Sequence, residues 1–252
     1  MTEPDDDLTV DIQLRPIDEV ARRMVILASL IQIALTLTDP DDDRPPAQIE
    51  QELDDLADAL LIGELSDSLS SLERRFLHTE RGRLEEDAVL EMLWRVEALA
   101  ALSSATTAPA TRGEAPWRQS DPAKLISAVP APWDEINAFV ATLSFQPEED
   151  IAALREAAEL WMWRSAIDDE LRSARGQARE EIRATVREVA HEADQAGLLG
   201  SANGDFLVDR EPYHRVDDET KAIIAEISLQ RLWALNWLCG YGDSWDDVPL
   251  DV

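Results

Sequence analysis

The sequence predicts a mainly α, multi-helix globular domain with one small β-hairpin before a C-terminal core helix. Three observations carry this. Apolar residues recur at three- and four-residue steps over most of the chain, the period of a helix with one buried face. Strand-like patterning is confined to a short stretch near residue 210. With 252 residues, 45% of them hydrophobic, the chain is long and apolar enough to bury a sizeable core.

Met1 to Leu14 is acidic and poor in apolar residues, so residues 1–14 are expected to form a disordered tail. Residues 15–252 then form a single mainly helical domain, in which 15–80 is a candidate N-terminal helical subdomain. Pro16 opens a helix through Ile17, Val20, Met24, Leu27, Ile31 and Leu35 that ends before Asp39. Its uncharged run, Met24 to Thr38, is shorter than a membrane span and reads as a core helix. A linker rich in Asp and Pro, Asp39 to Pro46, leads to a second helix, Ala47 to Ile62, stopped by Gly63. The serines at 66, 68, 70 and 71 offer caps for a short helix carrying Leu72, Phe76 and Leu77.

The next helix, about Leu84 to Leu102, has Leu90, Leu93, Trp94, Ala98 and Ala101 as its apolar face, and Glu97 falls on that face. A carboxylate there is either a general acid with a raised pKa or half of a buried ion pair with an arginine such as Arg164 or Arg231. The ion pair is preferred, since no nucleophile or histidine clusters near Glu97 in sequence. Ser103 to Asp121 lacks a period and reads as a long surface loop. Two short helices follow, one from Asp121-Pro122 to Pro130 and one from Trp133 to Leu143. Pro147 opens a longer helix with Ile151, Leu154, Ala158, Trp161, Ser165 and Asp168 in line, and Arg164 and Asp168 spaced to pair. After Gly176, Gln177 to Ala196 reads as an outer-layer helix on Ile182, Val186, Val189 and Ala193. Asp205 to Asp209 and Tyr213 to Val216 form the predicted hairpin.

The last helix, from Glu219, is apolar on one face through Ile224 and Ile227. From Leu232 to Leu238 it is apolar all round, with Asn236 as the only polar interruption. Asp217 or Asp218 caps its start and Gly240 takes the left-handed conformation that ends it. Such a helix belongs at the centre of the molecule.

Several segments carry a resemblance. Gly204-Asp205-Phe206, Pro212-Tyr213, Ala234-Leu235-Asn236-Trp237-Leu238, Trp245-Asp246-Asp247-Val248 and Asp251 resemble the closing signature of a bacterial domain-of-unknown-function family. Trp94-Arg95-Val96-Glu97-Ala98-Leu99, Leu72 to Leu77 and Glu159 to Arg164 resemble earlier segments of the same family. Where the family tends to show Glu-Arg-His, this chain has Gln230-Arg231-Leu232. The resemblance supports the fold and implies no activity.

Composition excludes several function classes. A formal charge of −30 opposes non-specific binding to nucleic acid or anionic lipid and points to a basic protein partner. One cysteine, Cys239, precludes an internal disulfide and fits the cytoplasm. No phosphate loop, nucleophile elbow or zinc-protease motif is present, and no cofactor is expected. Asp243, Asp246, Asp247 and Asp251 have carboxylates enough for a hard cation, but their spacing matches no calcium loop; turn capping or arginine pairing is preferred and no metal is expected. Two readings of function remain. The first is a non-enzymatic cytoplasmic interaction protein, of immunity type, that covers a basic partner. The second is an enzyme or small-ligand-binding domain using Glu97, Arg164, Arg231, Asn236, Asp246 and Asp247 in a cleft lined by Trp94, Trp237 and Trp245.

Overall fold

A computed structural model describes residues 13–39, 43–108 and 115–250. Among the described residues there are nine α-helices and a three-stranded antiparallel sheet placed just before the last helix. Most of the expected tail, and the middle of the Asp39 to Pro46 linker, lie outside the described residues.

Four long helices set the architecture. They are α1 (Ile17–Thr38), α4 (Glu86–Ser104), α7 (Glu148–Ser173) and α9 (Asp218–Leu238). α1 packs on α4, α4 on α9, and α9 on α7, whose outer side meets α8 (Gly176–Gln195). α2 (Pro46–Ile62), α5 (Pro122–Ser127) and α6 (Ile136–Val140) pack against α1, while α3 (Ser71–His78) lies on α2. α9 is therefore interior, flanked by α4 and α7. The most deeply enclosed helix is nevertheless α1, with Val20, Met24, Leu27, Leu30 and Ile31 all fully buried. By length and composition its 22 residues could also cross a membrane, but most of them are buried within the protein.

Helix ends follow local chemistry. Ser70 and Glu73 form a reciprocal capping box at the start of α3, Asp121 accepts from the first turn of α5, and Asp217 accepts from Thr220 N at 2.8 Å at the start of α9. Gly240, at φ +81°, ends α9; a Cβ there would sit 2.9 Å from the Gln13 carbonyl oxygen, so glycine is required on both counts.

The hairpin is extended and shifted relative to expectation. β1 (Ser201–Ala202) and β3 (Glu211–Pro212) both pair antiparallel with β2 (Asp205–Val208), and Tyr213–Arg215 is a 3₁₀ turn rather than a strand. The turn between β1 and β2 is Asn203-Gly204 with φ +54° and +76°, the two-residue loop whose twist matches a hairpin. Tyr213 leaves the strand register because its ring packs into a second apolar cluster with Trp161, Phe206 and Ile224.

Three further expectations are corrected. Leu90 is 49% exposed and Trp94 only half-buried, whereas Ala98 and Ala101 are buried as expected and are joined by Val89, Met92, Val96, Leu99 and Leu102. The segment after α4 is no simple surface loop: Thr106, Ala108 and Ser120 are buried, and Thr106 bridges to Phe145. The helix expected from Trp133 is confined to Ile136–Val140, because the Asp134 carboxylate accepts from Ala131 N at 3.0 Å and holds the preceding residues in a turn.

Candidate functional site

The structure distributes eight of the nine candidate residues over three places and leaves Trp94 apart from them. The first is the α4–α9 contact. Glu97, fully buried on α4, accepts from Arg231 Nε at 3.0 Å and Nη2 at 2.7 Å, and from Ser120 N at 2.7 Å and Oγ at 3.0 Å. Arg231 also donates to the carbonyls of Pro116 and Arg118, each at 2.9 Å. Both carboxylate oxygens and all three guanidinium nitrogens are engaged, the condition under which a buried ion pair is tolerated.

The second place is the closing end of α9. Trp237 and Trp245, each 2% exposed, meet edge to face at 5.2 Å, and Trp233 donates through Nε1 to the Trp245 carbonyl at 2.8 Å. Three arginines cover these rings: Arg15 over Trp237 at 4.8 Å, Arg23 over Trp245 at 4.6 Å and Arg95 over Trp233 at 4.9 Å. Arg23 is neutralised by Glu73, whose two carboxylate oxygens both accept from Arg23 Nη1, at 2.7 and 2.8 Å. Burial pulls the Arg95 pKa below the usual arginine range. Asn236 accepts from Arg155 at 2.7 Å and donates to the Pro249 carbonyl at 2.8 Å. Asp246 accepts from Ser71 N at 2.8 Å and from Leu72 N at 3.4 Å, at the start of α3. Asp247 is exposed. Trp94 lies on α4, half-buried, outside this cluster.

The third place is the far side of α7. Arg164 is 1% exposed and binds Asp205 through Nε and Nη2 at 2.8 and 2.9 Å, with Asp168 a secondary partner at 3.5 Å. Asp205 accepts further from His214 N at 3.0 Å. Burial lowers the Arg164 pKa, but the hydrogen bonds and charge of Asp205 outweigh it and leave the group above its ordinary value. This pair fastens the hairpin to α7.

Two cavities adjoin these clusters. One, about 440 Å³, lies between α4, α7 and α9, with Leu154, Trp161, Leu198 and Leu235 among its walls and Arg231 at its edge. The Trp161 Nε1 is buried without a hydrogen-bond partner among the described residues. The other, about 410 Å³, lies between α7, α8 and the β1–β2 turn, with Arg164, Arg172, Arg179, Arg183 and Arg187 among its walls. The α8 arginines were absent from the sequence-derived candidates, although the spacing of Arg179, Arg183 and Arg187 at four residues was a legible signal. Among the described residues no group of three His, Cys, Asp or Glu side chains is placed to hold a metal ion.

A helical domain whose buried carboxylates are bonded to arginine, with a sheet pinned to its side by an ion pair, is the class that fold and site define. The chain belongs to the family described as Domain of unknown function (DUF4272), which matches residues 8–186. That stretch includes Trp94 to Leu99 and Glu159 to Arg164, whereas the closing segment from Gly204 lies beyond it. Neither the curated proteins nor the solved structures give a match.

Proposed function

We propose that the protein is a non-enzymatic, cytoplasmic interaction protein whose acidic surface engages a basic protein partner. The observation that carries this reading is how the carboxylates are spent. A few, such as Glu73, Glu97 and Asp205, are buried against arginine. The surplus stands on outer faces: on α2, Glu50, Asp54 and Asp58 are exposed at successive four-residue steps, with Arg81 opposite Asp54. Like charges so spaced cost a helix a few tenths of a kcal/mol per pair, about 0.2–0.5, and a basic partner relieves that cost. The single cysteine supports the cytoplasmic placement.

The test is capture of partners from the source cell on the immobilised chain, at about 0.05 M and about 0.5 M salt, since screening shortens the reach of exposed charges well below about 10 Å. The reading expects a basic protein retained at low salt, released at high salt, and lost when Glu50→Gln, Asp54→Asn and Asp58→Asn are combined. Equal retention by that variant, or no salt-sensitive partner, would overturn it.

A further inference from the structure

We propose that the cleft between α7, α8 and the β1–β2 turn binds a compact ligand carrying clustered phosphates, of the diphosphate class. In a chain with 53 acidic and 23 basic residues, this one cleft gathers six cationic side chains, Arg164, Arg172, Arg179, Arg183, Arg187 and Lys221. Two carboxylates line the cleft with them, Asp168 and Asp205, and two more meet them from outside it, Asp218 at 2.8 Å from Arg172 and Glu180 beside Arg183.

Those carboxylates are already committed. Asp205 is held by Arg164, while Asp168 accepts from Arg172 at 3.0 Å and lies 3.5 Å from Lys221. What remains is the α8 stripe. Arg179, Arg183 and Arg187 lie at i, i+4 and i+8, so each is the neighbour of the next, and like charges at that spacing oppose helix formation. Arg183 is offset by Glu180 at 2.8 Å on the exposed side. Among the described residues neither Arg179 nor Arg187 has a carboxylate partner, and the Arg179 Nε is buried with no hydrogen bond. A guanidinium row facing a cavity, with two of its three members lacking a carboxylate, is suited to a multivalent anion, since each fork matches two phosphate oxygens.

The β1–β2 turn completes the wall. A Cβ on Gly204 would stand 2.4 Å from Arg187 Cγ, so the glycine lets the Arg187 stem lie against the turn. Size and lining set the ligand class. The volume, about 410 Å³, suits a small molecule. Among the described residues the cleft walls contain Leu171, Val186 and the His214 ring but no Trp, Phe or Tyr side chain, so guanidinium charge rather than an aromatic platform dominates the lining. Across a screening length of about 8–10 Å, this local excess of positive charge governs a bound anion more than the distant acidic faces do.

The experiment is calorimetric titration of the full chain with inorganic pyrophosphate, and with sulfate at matched ionic strength. The proposal expects saturable one-site binding of pyrophosphate, weakened at least tenfold in Arg183→Gln/Arg187→Gln, with no saturation by sulfate. Arg183→Gln alone, at an exposed position, serves as the second variant if the double substitution unfolds the chain, and should weaken binding severalfold. Absence of saturable pyrophosphate binding, equal saturation by sulfate, or unchanged affinity in a folded variant would each overturn the proposal.

Discussion

Asp246 reaches across the molecule to accept from Ser71 N at 2.8 Å, so a residue of the closing segment caps a helix in the N-terminal third of the chain. The acidic cluster after α9 is thereby explained in part by orphan helix N–H groups, which favour a carboxylate. Asp246→Ala should cost about 1 kcal/mol, the usual value of a lost cap, as measured by urea unfolding. Millimolar magnesium or calcium should leave the melting temperature of the parent chain unchanged; a rise of several degrees that Asp246→Asn abolished would contradict the capping role.

Trp237 is enclosed by Trp245, Arg15 and Arg23. Trp237→Ala should cost roughly 3–5 kcal/mol, because the rings and guanidinium stems around it lose their shared contact surface. Asn236→Leu should cost about 1–3 kcal/mol by leaving the Pro249 carbonyl and the Arg155 Nε without partners. A melting temperature unchanged in either variant would mean that the closing end of α9 is not a closed core.

Acid should loosen the α7–hairpin side. Burial raises the Asp168 pKa, but hydrogen bonds from Arg172 and the charges of Lys221 and Arg164 prevail, so the folded-state value lies below the ordinary one. The unfolded chain then binds the proton more readily, and the contribution of Asp168 is complete above an ordinary Asp pKa of about 3.9. It is lost as pH falls through the lower folded value. Unfolding free energies at pH 6 and at about pH 3 should differ less in Asp168→Asn than in the parent.

Burial pushes the Cys239 thiol up to about 11. Little thiolate exists at neutral pH, and the sulfur is shielded. A disulfide reagent should therefore label Cys239 only at the rate of opening, with labelling complete in denaturant; immediate labelling of the native chain would place Cys239 at the surface.

The helices were legible because burial in this fold follows period. Ile224, Ile227, Leu235 and Leu238 fall on the predicted face, and Asp217 and Gly240 act at the ends of α9 as their chemistry requires. Legibility failed where a polar or aromatic side chain obeys a distant partner. Arg95 and Arg23 are buried under Trp233 and Trp245, and no local pattern pairs residues about 140 and 220 positions apart. Leu90 falls outside the core because α4 turns Val89 and Met92 inward in its place. Glu97 was marked as needing a partner by its position alone, with Arg164 and Arg231 both eligible; only the crossing of α4 and α9 selects Arg231, while the hairpin claims Arg164.

A double-mutant cycle on Glu97 and Arg231 tests most directly whether the polar groups around α9 hold the fold together. By urea unfolding, Glu97→Leu alone and Arg231→Met alone should each cost roughly 3–5 kcal/mol, because each strands a buried charge. The combined variant should cost less than the two singles summed, by a coupling of about 0.5–3 kcal/mol. Single substitutions that leave stability within about 0.5 kcal/mol of the parent would contradict the claim and return Glu97 to the list of groups held for chemistry.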